Sequence, residues 1–351
     1  MKIVLTGGRK ITTIVTNVGK EEWEYFLDNS NAATIYHTPQ WKTFLEKTFN
    51  YESNYLFAKD ENDNITGLLP LFYVKSKLTG NRLCCVPFSH RCGILGEINI
   101  VKSLIDEAMN YFESTNAHYF EIRDSVSSPL FETQNYYSTY VLDVSDNVEN
   151  LWKNLSSNAR RATRKSEKLG LIAHQTDDPH ALKYFYKLNS MTKKELGVPC
   201  HPWKFFKNMF DILGNNVSLY VVEYNDEIIA GGIREYYKDT IIAGYAASHP
   251  EYKHMNPYNL LNWKSIQDAS NNGYQYYDLG RVSYQNEGLM FFKSRWGTIE
   301  KKLYYSYFPK NPKSLTDNRS GFLYNIGTKG IKKMPMSLYE QFSNNIFSKF
   351  G

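Results

Sequence analysis

The chain has 351 residues, a length that suits two domains better than one small core. Hydrophobic residues make up 42% and charged residues 22%, which excludes a disordered chain and is ordinary for a folded protein. The net charge of +5 is mild and fits an anionic substrate such as a nucleotide-sugar, a lipid diphosphate or a tRNA, without identifying one.

The cysteines and the apolar runs indicate the compartment. The four cysteines form neither a CxxC pair nor a regular framework, which predicts reduced thiols in a cytoplasmic protein. The N-terminal segment has no apolar signal core, and no run approaches the roughly 18 apolar residues of a membrane span. Segment 310–351 is basic and then amphipathic, so peripheral membrane contact stays open, although we expect it to pack on the body as an ordinary helix.

Two stretches of the chain share one order of elements. From Tyr55 and again from Tyr220, a strand, a polar turn and a strand precede another strand, a Ser-His loop, a helix and an aromatic strand. Asp124 follows the aromatic strand of the first stretch, and Asp278 lies in that of the second. Hairpins flanked by helices are common, but the ordered match favours a duplication. It predicts an α/β (α+β) fold of two similar halves, each a mixed sheet flanked by helices.

The boundary between the halves is predicted just before Asp146. Asp146 and Glu149 resemble a capping box that opens a new helix. The first domain is therefore expected at 1–145, the second at 146–309, and a C-terminal segment packing on the body at 310–351. The cleft between the halves is the expected ligand site.

A basic stretch opens the second half. Arg160 and Arg164 lie four residues apart, as do Arg161 and Lys165, so like charges follow each other along one helix. Such pairs destabilise an isolated helix by about a few tenths of a kcal/mol each, which an anionic ligand would offset. Arginine forks suit phosphate well. The alternative is a solvated helix face.

Signals for cofactors and metals are negative. The loop of the second half contains no glycine from His249 to Gln267, which argues against the glycine-rich turn of conventional CoA binding. His249 and His254 lie five residues apart and would not share a helix face, so we predict no metal site. No GxSxG motif is present. We predict no bound cofactor, with aminoacyl-tRNA or acyl-CoA as a candidate co-substrate.

Lys293 is the main candidate for chemistry. It stands between Phe292 and Trp296, after a predicted amphipathic helix that ends near Gly273 and a strand at 274–279. Acyl transfer develops negative charge on the attacked carbonyl oxygen, and a fixed cation there supplies several kcal/mol. The alternative is a lysine that snorkels over apolar surface. Asp124 or Asp278 would accept a proton from the attacking amine, or would cap a loop.

The second half resembles the FemABX family of peptidyl- and aminoacyltransferases. The matching residues are Trp152 with the basic helix and Gly170, GYAAS at Gly244, the 259–281 helix and strand with YYDLGR, and GLMFFKSRWG from Gly288. The resemblance implies two tandem GNAT-like domains. It also implies attack by a peptide or lipid-linked amine on an aminoacyl ester, usually carried by tRNA.

The resemblance assigns roles to individual residues. It implies that Lys293 stabilises the tetrahedral oxyanion, that Asp124 takes the place of the acid after the first-domain strand, and that Tyr245 contacts substrate. With Asn259, Tyr245 would shape the pocket. Arg160, Arg161, Arg164 and His201 would hold phosphate or the carrier.

Two departures put the family's usual peptidoglycan precursor in doubt. His201 stands before Pro202, where the family has a diphosphate-gripping arginine, and Leu45 occupies the place of a first-domain lysine. Helices are predicted around 181–196 and 203–213, without the heptads of the family's long helical arm. Shorter relatives with a similar NPYNLLNW pattern are associated with surface polysaccharides.

The main hypothesis is therefore an aminoacyltransferase acting on an anionic cell-envelope precursor, either a nucleotide-sugar or lipid-linked. The alternatives are an N-acyltransferase that modifies a surface polysaccharide sugar and a non-catalytic glycan-binding module. Dispersed charge weighs against stable DNA binding.

Overall fold

The computed structural model describes residues 2–6, 10–77, 79–310 and 322–349. The chain forms two compact units. Unit 1 takes its described residues from Met1–Asn135, Leu303–Gly321 and Ser348–Gly351, and unit 2 takes them from Tyr136–Lys302 and Phe322–Phe347. The division falls ten residues before the predicted boundary, and the chain returns to unit 1 at Leu303. Of the predicted third segment, Phe322–Phe347 lies within unit 2, and residues 311–321, 350 and 351 are outside the described residues.

Unit 1 contains two sets of hydrogen-bonded strands. The first set is antiparallel and has the order β1-β2-β4-β5-β8. The second has the order β16-β9-β7-β6-β3, in which only the pair β7–β9 is parallel. The strands are β1 (Lys2–Thr6), β2 (Lys10–Val15), β3 (Glu52–Ser53), β4 (Leu56–Lys59), β5 (Ile65–Leu69), β6 (Phe72–Val74), β7 (Arg82–Cys84), β8 (Leu95–Gly96), β9 (Tyr119–Ile122) and β16 (Ile299–Phe308), most of which lies in unit 1.

Three α-helices accompany these strands in the described part of unit 1: α1 (Lys20–Asp28), α2 (Pro39–Phe49) and α3 (Ile98–Glu113), with a short 3-10 helix at Ile35–His37. Helix α2 begins where its sequence indicates, because the Thr38 hydroxyl accepts from the Trp41 amide at 3.2 Å and Pro39 fills the first turn. The core of the unit is aromatic, with Trp41, Phe44 and Phe57 deeply buried.

Unit 2 is built on one mixed set of strands in the order β11-β12-β13-β14-β15-β10. The pair β14–β15 is parallel and the other pairs are antiparallel. The strands are β10 (Glu132–Asp143), most of which lies in unit 2, β11 (Ile172–Thr176), β12 (Val217–Tyr224), β13 (Glu227–Tyr237), β14 (Thr240–Ser248) and β15 (Tyr276–Ser283). The β12–β13 hairpin turns at Asn225 and Asp226, whose φ angles of 50° and 64° suit a tight two-residue turn.

The α-helices of unit 2 are α4 (Val148–Asn154), α5 (Ser157–Lys168), α6 (Pro179–Leu196), α7 (Trp203–Leu213), α8 (Pro257–Asn271), α9 (Glu287–Ser294), α10 (Phe322–Lys333) and α11 (Met336–Ile346). Short 3-10 helices lie at Gly214–Asn216 and Pro250–Met255, and a third, at Phe347–Lys349, lies mostly in unit 1. The predicted helices at 181–196 and 203–213 are confirmed as α6 and α7. The predicted N-cap of α4 was wrong by one residue. Asn147, and not Asp146, accepts from the Asn150 amide at 2.9 Å.

The predicted duplication is visible in the element order. In each unit an antiparallel hairpin precedes a helix that connects two parallel strands: β7, α3 and β9 in unit 1, and β14, α8 and β15 in unit 2. The predicted amphipathic helix before Gly273 is α8, and its apolar residues Leu260, Leu261, Ile266 and Ala269 are all buried. Of the described helices, none is long and apolar enough to cross a membrane.

Candidate functional site

The Lys293 ammonium is buried and held by the backbone. Lys293 lies in the last turn of α9, whose N-cap is Asn286, and the Asn286 side chain accepts from the Leu289 amide at 3.1 Å. The side chain of Lys293 is buried, and Nζ donates to the carbonyl oxygens of Gly280 at 2.5 Å and Arg281 at 3.2 Å. An ammonium carries three N–H donors, so one N–H remains for a further acceptor.

The strand beneath this ammonium is irregular. Gly280 has a φ of +75°, and the register between β10 and β15 shifts between Thr139 and Val141. The parallel pairing of β14 with β15 runs only as far as Ile242 and Asp278, although both strands are fully described beyond that point. The two strands therefore stop pairing just before the residues that hold Lys293.

A buried carboxylate supports the same turn. Asp278 Oδ1 accepts from the Gly280 amide at 2.7 Å and from the Thr139 hydroxyl. Burial lowers the pKa of Lys293 to about 8. The positive charge of Arg281 also lowers this pKa, whereas the negative charge of Asp278 raises it. At neutral pH the lysine is thus mainly protonated, yet close to the point where it loses its proton.

His201 and Tyr245, both predicted to bind substrate, lie against each other. Their ring centroids are 5.1 Å apart at an interplanar angle of 89°. Both rings also contact Phe205 and Phe206, so they belong to one aromatic cluster of unit 2. Burial, with a contribution from Glu235, raises the pKa of the Tyr245 phenol well above its usual range.

The environment of His201 does not favour an anion. His201 is buried, and its Nδ1 lies 3.4 Å from the Asn189 side-chain oxygen. Burial and the charge of Lys193 hold the pKa of this imidazole well below its usual range. A neutral ring in an aromatic cluster offers a diphosphate no charge, so the placement gives the predicted phosphate role of His201 no support.

The three predicted arginines have different surroundings on α5. Arg160 is half-buried and donates to the Lys153 carbonyl at 2.6 Å, where α4 ends. Arg164 is exposed and its guanidinium lies 5.3 Å from the ring centre of Trp152. Arg161 is exposed and bonds within its own helix to Asn158. Arg160 therefore supports the structure, whereas Arg161 and Arg164 are presented to solvent.

The remaining two predicted residues lie in different units. Asn259 is half-buried in the first turn of α8 in unit 2, and its side-chain amide has no hydrogen-bond partner among the described residues. Asp124 belongs to unit 1, where its Oδ1 accepts from the Ser125 amide at 2.8 Å. Its other oxygen lies so close to Gly93 that an added Cβ there would sit 2.1 Å away. This geometry is that of a carboxylate that caps a loop.

The geometry of unit 2 agrees with a known domain type. Residues 153–294 match the family model described as "Acetyltransferase (GNAT) domain". Unit 2 has a GNAT-like fold. The match contains the basic helix α5, the β14–α8–β15 connection and Lys293 near its end. No curated protein matches the chain at a significant level of sequence similarity.

Solved structures extend the likeness to most of the chain. FemX superposes with a TM-score of 0.68 at 15% identity, over 84% of this chain and 96% of FemX. The C-terminal domain of a putative lysylphosphatidylglycerol synthetase from Agrobacterium fabrum gives 0.57 at 9% identity, over 84% and 93%. A tandem GNAT protein from the clavulanic acid biosynthesis pathway gives 0.51 at 10% identity, over 84% and 98%. At these identities the likeness concerns the fold, and it confirms the expected tandem GNAT-like architecture.

Two features of the GNAT-like unit were not predicted from the sequence. Gly280 carries the carbonyl that Lys293 contacts, and a glycine inside a predicted strand region was the available signal for an irregularity there. Arg234 is completely buried on β13, where it donates to Asn262 Oδ1 at 3.0 Å and Ser265 Oγ at 3.2 Å. A charged residue inside the apolar run IIAGGIREYY was the signal for this buried network.

Among the described residues, no group of three or more His, Cys, Asp or Glu side chains could hold a metal ion.

Proposed function

We propose that the chain is an aminoacyltransferase that moves an aminoacyl group from an activated carrier, such as aminoacyl-tRNA, to an amine of a cell-envelope precursor. The GNAT domain match supports an acyltransferase in general. The observation that carries the proposal is the buried ammonium of Lys293, fixed by two carbonyls with one N–H unused.

The chemistry of acyl transfer needs such a donor. When an amine attacks the ester carbonyl, the carbonyl oxygen gains negative charge, and a donor that is already in position stabilises it without reorganisation. The Gly280 and Arg281 carbonyls hold the ammonium in place before substrate arrives. Because the site is buried, the interaction with an oxyanion is stronger than it would be in water.

Asp278 acts as a positioning residue in this proposal. It binds the amide of Gly280, whose carbonyl binds Lys293, so its carboxylate orients the turn that carries the ammonium. Asp124 stays a candidate for accepting the proton that the attacking amine loses. Its capping bond to Ser125 favours a structural role, and Asp124→Asn separates the two, because only a proton acceptor changes the pH profile of turnover.

Charge and neighbours favour an anionic carrier and acceptor. Arg161 and Arg164 are exposed on α5 and are suited to phosphate of a tRNA or of a nucleotide-sugar or lipid-linked precursor. One structural neighbour is named as a putative lysylphosphatidylglycerol synthetase, which favours an aminoacyl group as cargo. Aminoacyl-tRNA is a cytoplasmic donor, so the proposal includes a cytoplasmic location, with peripheral membrane contact if the acceptor is lipid-linked.

An N-acyltransferase using acyl-CoA on a surface polysaccharide sugar is the second candidate. The family model that matches unit 2 is described as an acetyltransferase, which favours it. The glycine-free segment between β14 and α8 weighs against it, because a side chain at each position keeps the backbone from approaching a pyrophosphate closely. A glycan-binding module without activity would bind sugar and transfer nothing.

The test is transfer in an extract of the native host. The purified chain is incubated with that extract and either a charged tRNA pool or acyl-CoA, and mass spectrometry follows the appearance of acylated envelope precursors. We expect products with charged tRNA. Products with acyl-CoA alone would establish the second candidate. The absence of product with either donor would favour the glycan-binding module without activity.

Substitution of Lys293 tests the mechanism. Lys293→Met should reduce kcat by about 10² to 10³, as for the loss of other oxyanion donors. Lys207→Met is the matched control, since Lys207 is exposed on α7 and pairs with Asp211. Full turnover by Lys293→Met would exclude the assigned role.

A further inference from the structure

Unit 2 contains a cavity of about 660 Å³ that plays no part in the reaction proposed above. It lies at the end of β11, beside the first residues of β12 and β14 and the last turn of α8. Ile241, one of its lining residues, pairs with Tyr277. Gly280, which holds Lys293, lies three residues further along that strand, a distance of about 10 Å. The cavity and the lysine are thus separate places on one sheet.

The charges that line this cavity are negative. Asp177 and Asp268 contribute carboxylates, and none of the described lining residues is a lysine or an arginine. Asp177 is exposed at the rim and its carboxylate has no partner among the described residues. Asp268 accepts from the Tyr220 hydroxyl at 3.1 Å and from Lys264, at the half-exposed edge, at 2.6 Å. Even with Lys264 counted, the walls carry an excess negative charge, which attracts a cation.

Three tyrosines, Tyr220, Tyr236 and Tyr274, form part of the remaining wall, beside apolar residues such as Phe210 and Ile241. The rings of Tyr236 and Tyr274 lie 5.6 Å apart between centroids, and the Tyr236 hydroxyl lies 2.6 Å from Ser218 Oγ. Burial raises the pKa of Tyr220 far above its usual range and also raises that of Tyr274, so these phenols stay neutral. Aromatic faces beside carboxylates are a suitable environment for an ammonium group.

Polar groups at the rim are available for hydroxyls. The side-chain amides of Gln175 and Asn215 line the cavity and have no hydrogen-bond partner within the described part of the chain. An amide both donates and accepts, as a hydroxyl does, so the two groups match each other. The volume lies in the range of sites for small molecules.

We propose that this cavity binds a small protonated amine on a hydroxylated scaffold, an amino sugar being the simplest example. The ammonium lies beside Asp268 and the tyrosine faces, and the hydroxyls meet the amides of Gln175 and Asn215. An anionic ligand is excluded, because the carboxylates repel it. The site is independent of the acyl transfer proposed above and keeps its ligand whether or not Lys293 is catalytic.

Binding to the purified full chain tests the proposal, with glucosamine as the probe and glucose as the uncharged comparison. Isothermal titration calorimetry at pH 7 should give a Kd of about 1 mM or tighter for glucosamine. Glucose should bind about tenfold more weakly, and glucosamine 6-phosphate should also bind more weakly than glucosamine. Equal affinity for glucosamine and glucose, or no saturable binding of glucosamine, would overturn the proposal.

Variants locate the site. Asp268→Asn should weaken glucosamine binding by about tenfold, and Asp177→Asn should weaken it by a few fold. Asp268→Asn changes the acceptor of the Tyr220 hydroxyl and can impair folding. Asp177 is exposed, so Asp177→Asn tests the site in that case. Asp211→Asn is the matched control, because Asp211 is exposed on α7 outside the cavity lining. Lys293→Met should bind glucosamine like the parent. Unchanged binding in both Asp268→Asn and Asp177→Asn would contradict the assignment.

Discussion

The Lys293 ammonium donates to the carbonyl oxygen of Gly280, a residue whose φ of +75° lies in the left-handed region. The direction of that carbonyl depends on a conformation that glycine adopts at no cost and other residues adopt with strain. The position of the candidate catalytic cation is therefore coupled to the absence of a side chain thirteen residues earlier.

Gly280→Ala should lower both stability and turnover. A Cβ at this φ costs about 1 to 2 kcal/mol, and relief of the strain would rotate the carbonyl that holds Lys293. We expect kcat to fall at least about tenfold, measured beside urea unfolding. Gly273→Ala is the matched control, since Gly273 has a φ of +77° and open space around its Cβ position. It should lose similar stability and keep its turnover. Equal turnover in Gly280→Ala and Gly273→Ala would show that the conformation of Gly280 does not affect catalysis.

The pH profile of turnover reports the charge state of Lys293. Burial lowers the pKa of this lysine to about 8, so the ammonium is the main form at pH 7 and its share declines as pH rises through about 8. If the ammonium stabilises an oxyanion, kcat should fall as pH rises through about 8. A rise over the same range would contradict the assigned role of the ammonium. Stopped assays between pH 6 and pH 9.5 decide between the two, with a donor-stability control at each pH.

His201 should make the protein sensitive to acid. Its pKa is held well below the usual value in the folded state, so the unfolded chain binds a proton below about pH 6.5 that the folded chain does not. The stability contributed by the neutral ring is therefore present at pH 7 and is lost as pH falls below about 6.5. His201→Phe keeps a ring in the aromatic cluster and should lose less stability between pH 7 and pH 5.

Urea unfolding at the two pH values measures this difference. His180→Phe is the control, because His180 is exposed at the start of α6. If the free energy of unfolding of His201→Phe falls between pH 7 and pH 5 by as much as that of the parent, the imidazole is protonated in the folded chain.

Arg234→Ala should be the most destabilising of these changes. The guanidinium is completely buried between the rings of Tyr220 and Tyr277, each centred 5.8 Å away, and it donates to Asn262 and Ser265. Truncation leaves a cavity and removes a donor from a buried amide oxygen, which together cost about 3 kcal/mol. Urea unfolding measures the loss. Arg161→Ala, on an exposed helix face, should change stability by less than about 0.5 kcal/mol.

Much of the fold was predictable because it depends on local patterns. The apolar spacing of α8, the turn residues Asn225 and Asp226, and the two helices α6 and α7 all follow from periodicity and turn chemistry. The FFK motif indicated Lys293 as the residue to explain. These features need only the neighbours of a residue in sequence.

The surroundings of the site residues depended on residues distant in sequence. No local pattern indicated that His201 would lie among Phe205, Phe206 and Tyr245 and stay neutral, or that Arg160 would bond to the end of α4. The division after Asn135 follows from which strands pack together, whereas the predicted boundary relied on a local helix start.

The amino-acid order by itself determined the two-unit α/β architecture, the position of most helices and the choice of Lys293. Only the tertiary structure decided what Lys293 touches, because Gly280 and Asp278 reach it through the irregular pairing of β10, β14 and β15. The charge state of a side chain depends on its burial and on its neighbours in space, and neither is set by local sequence.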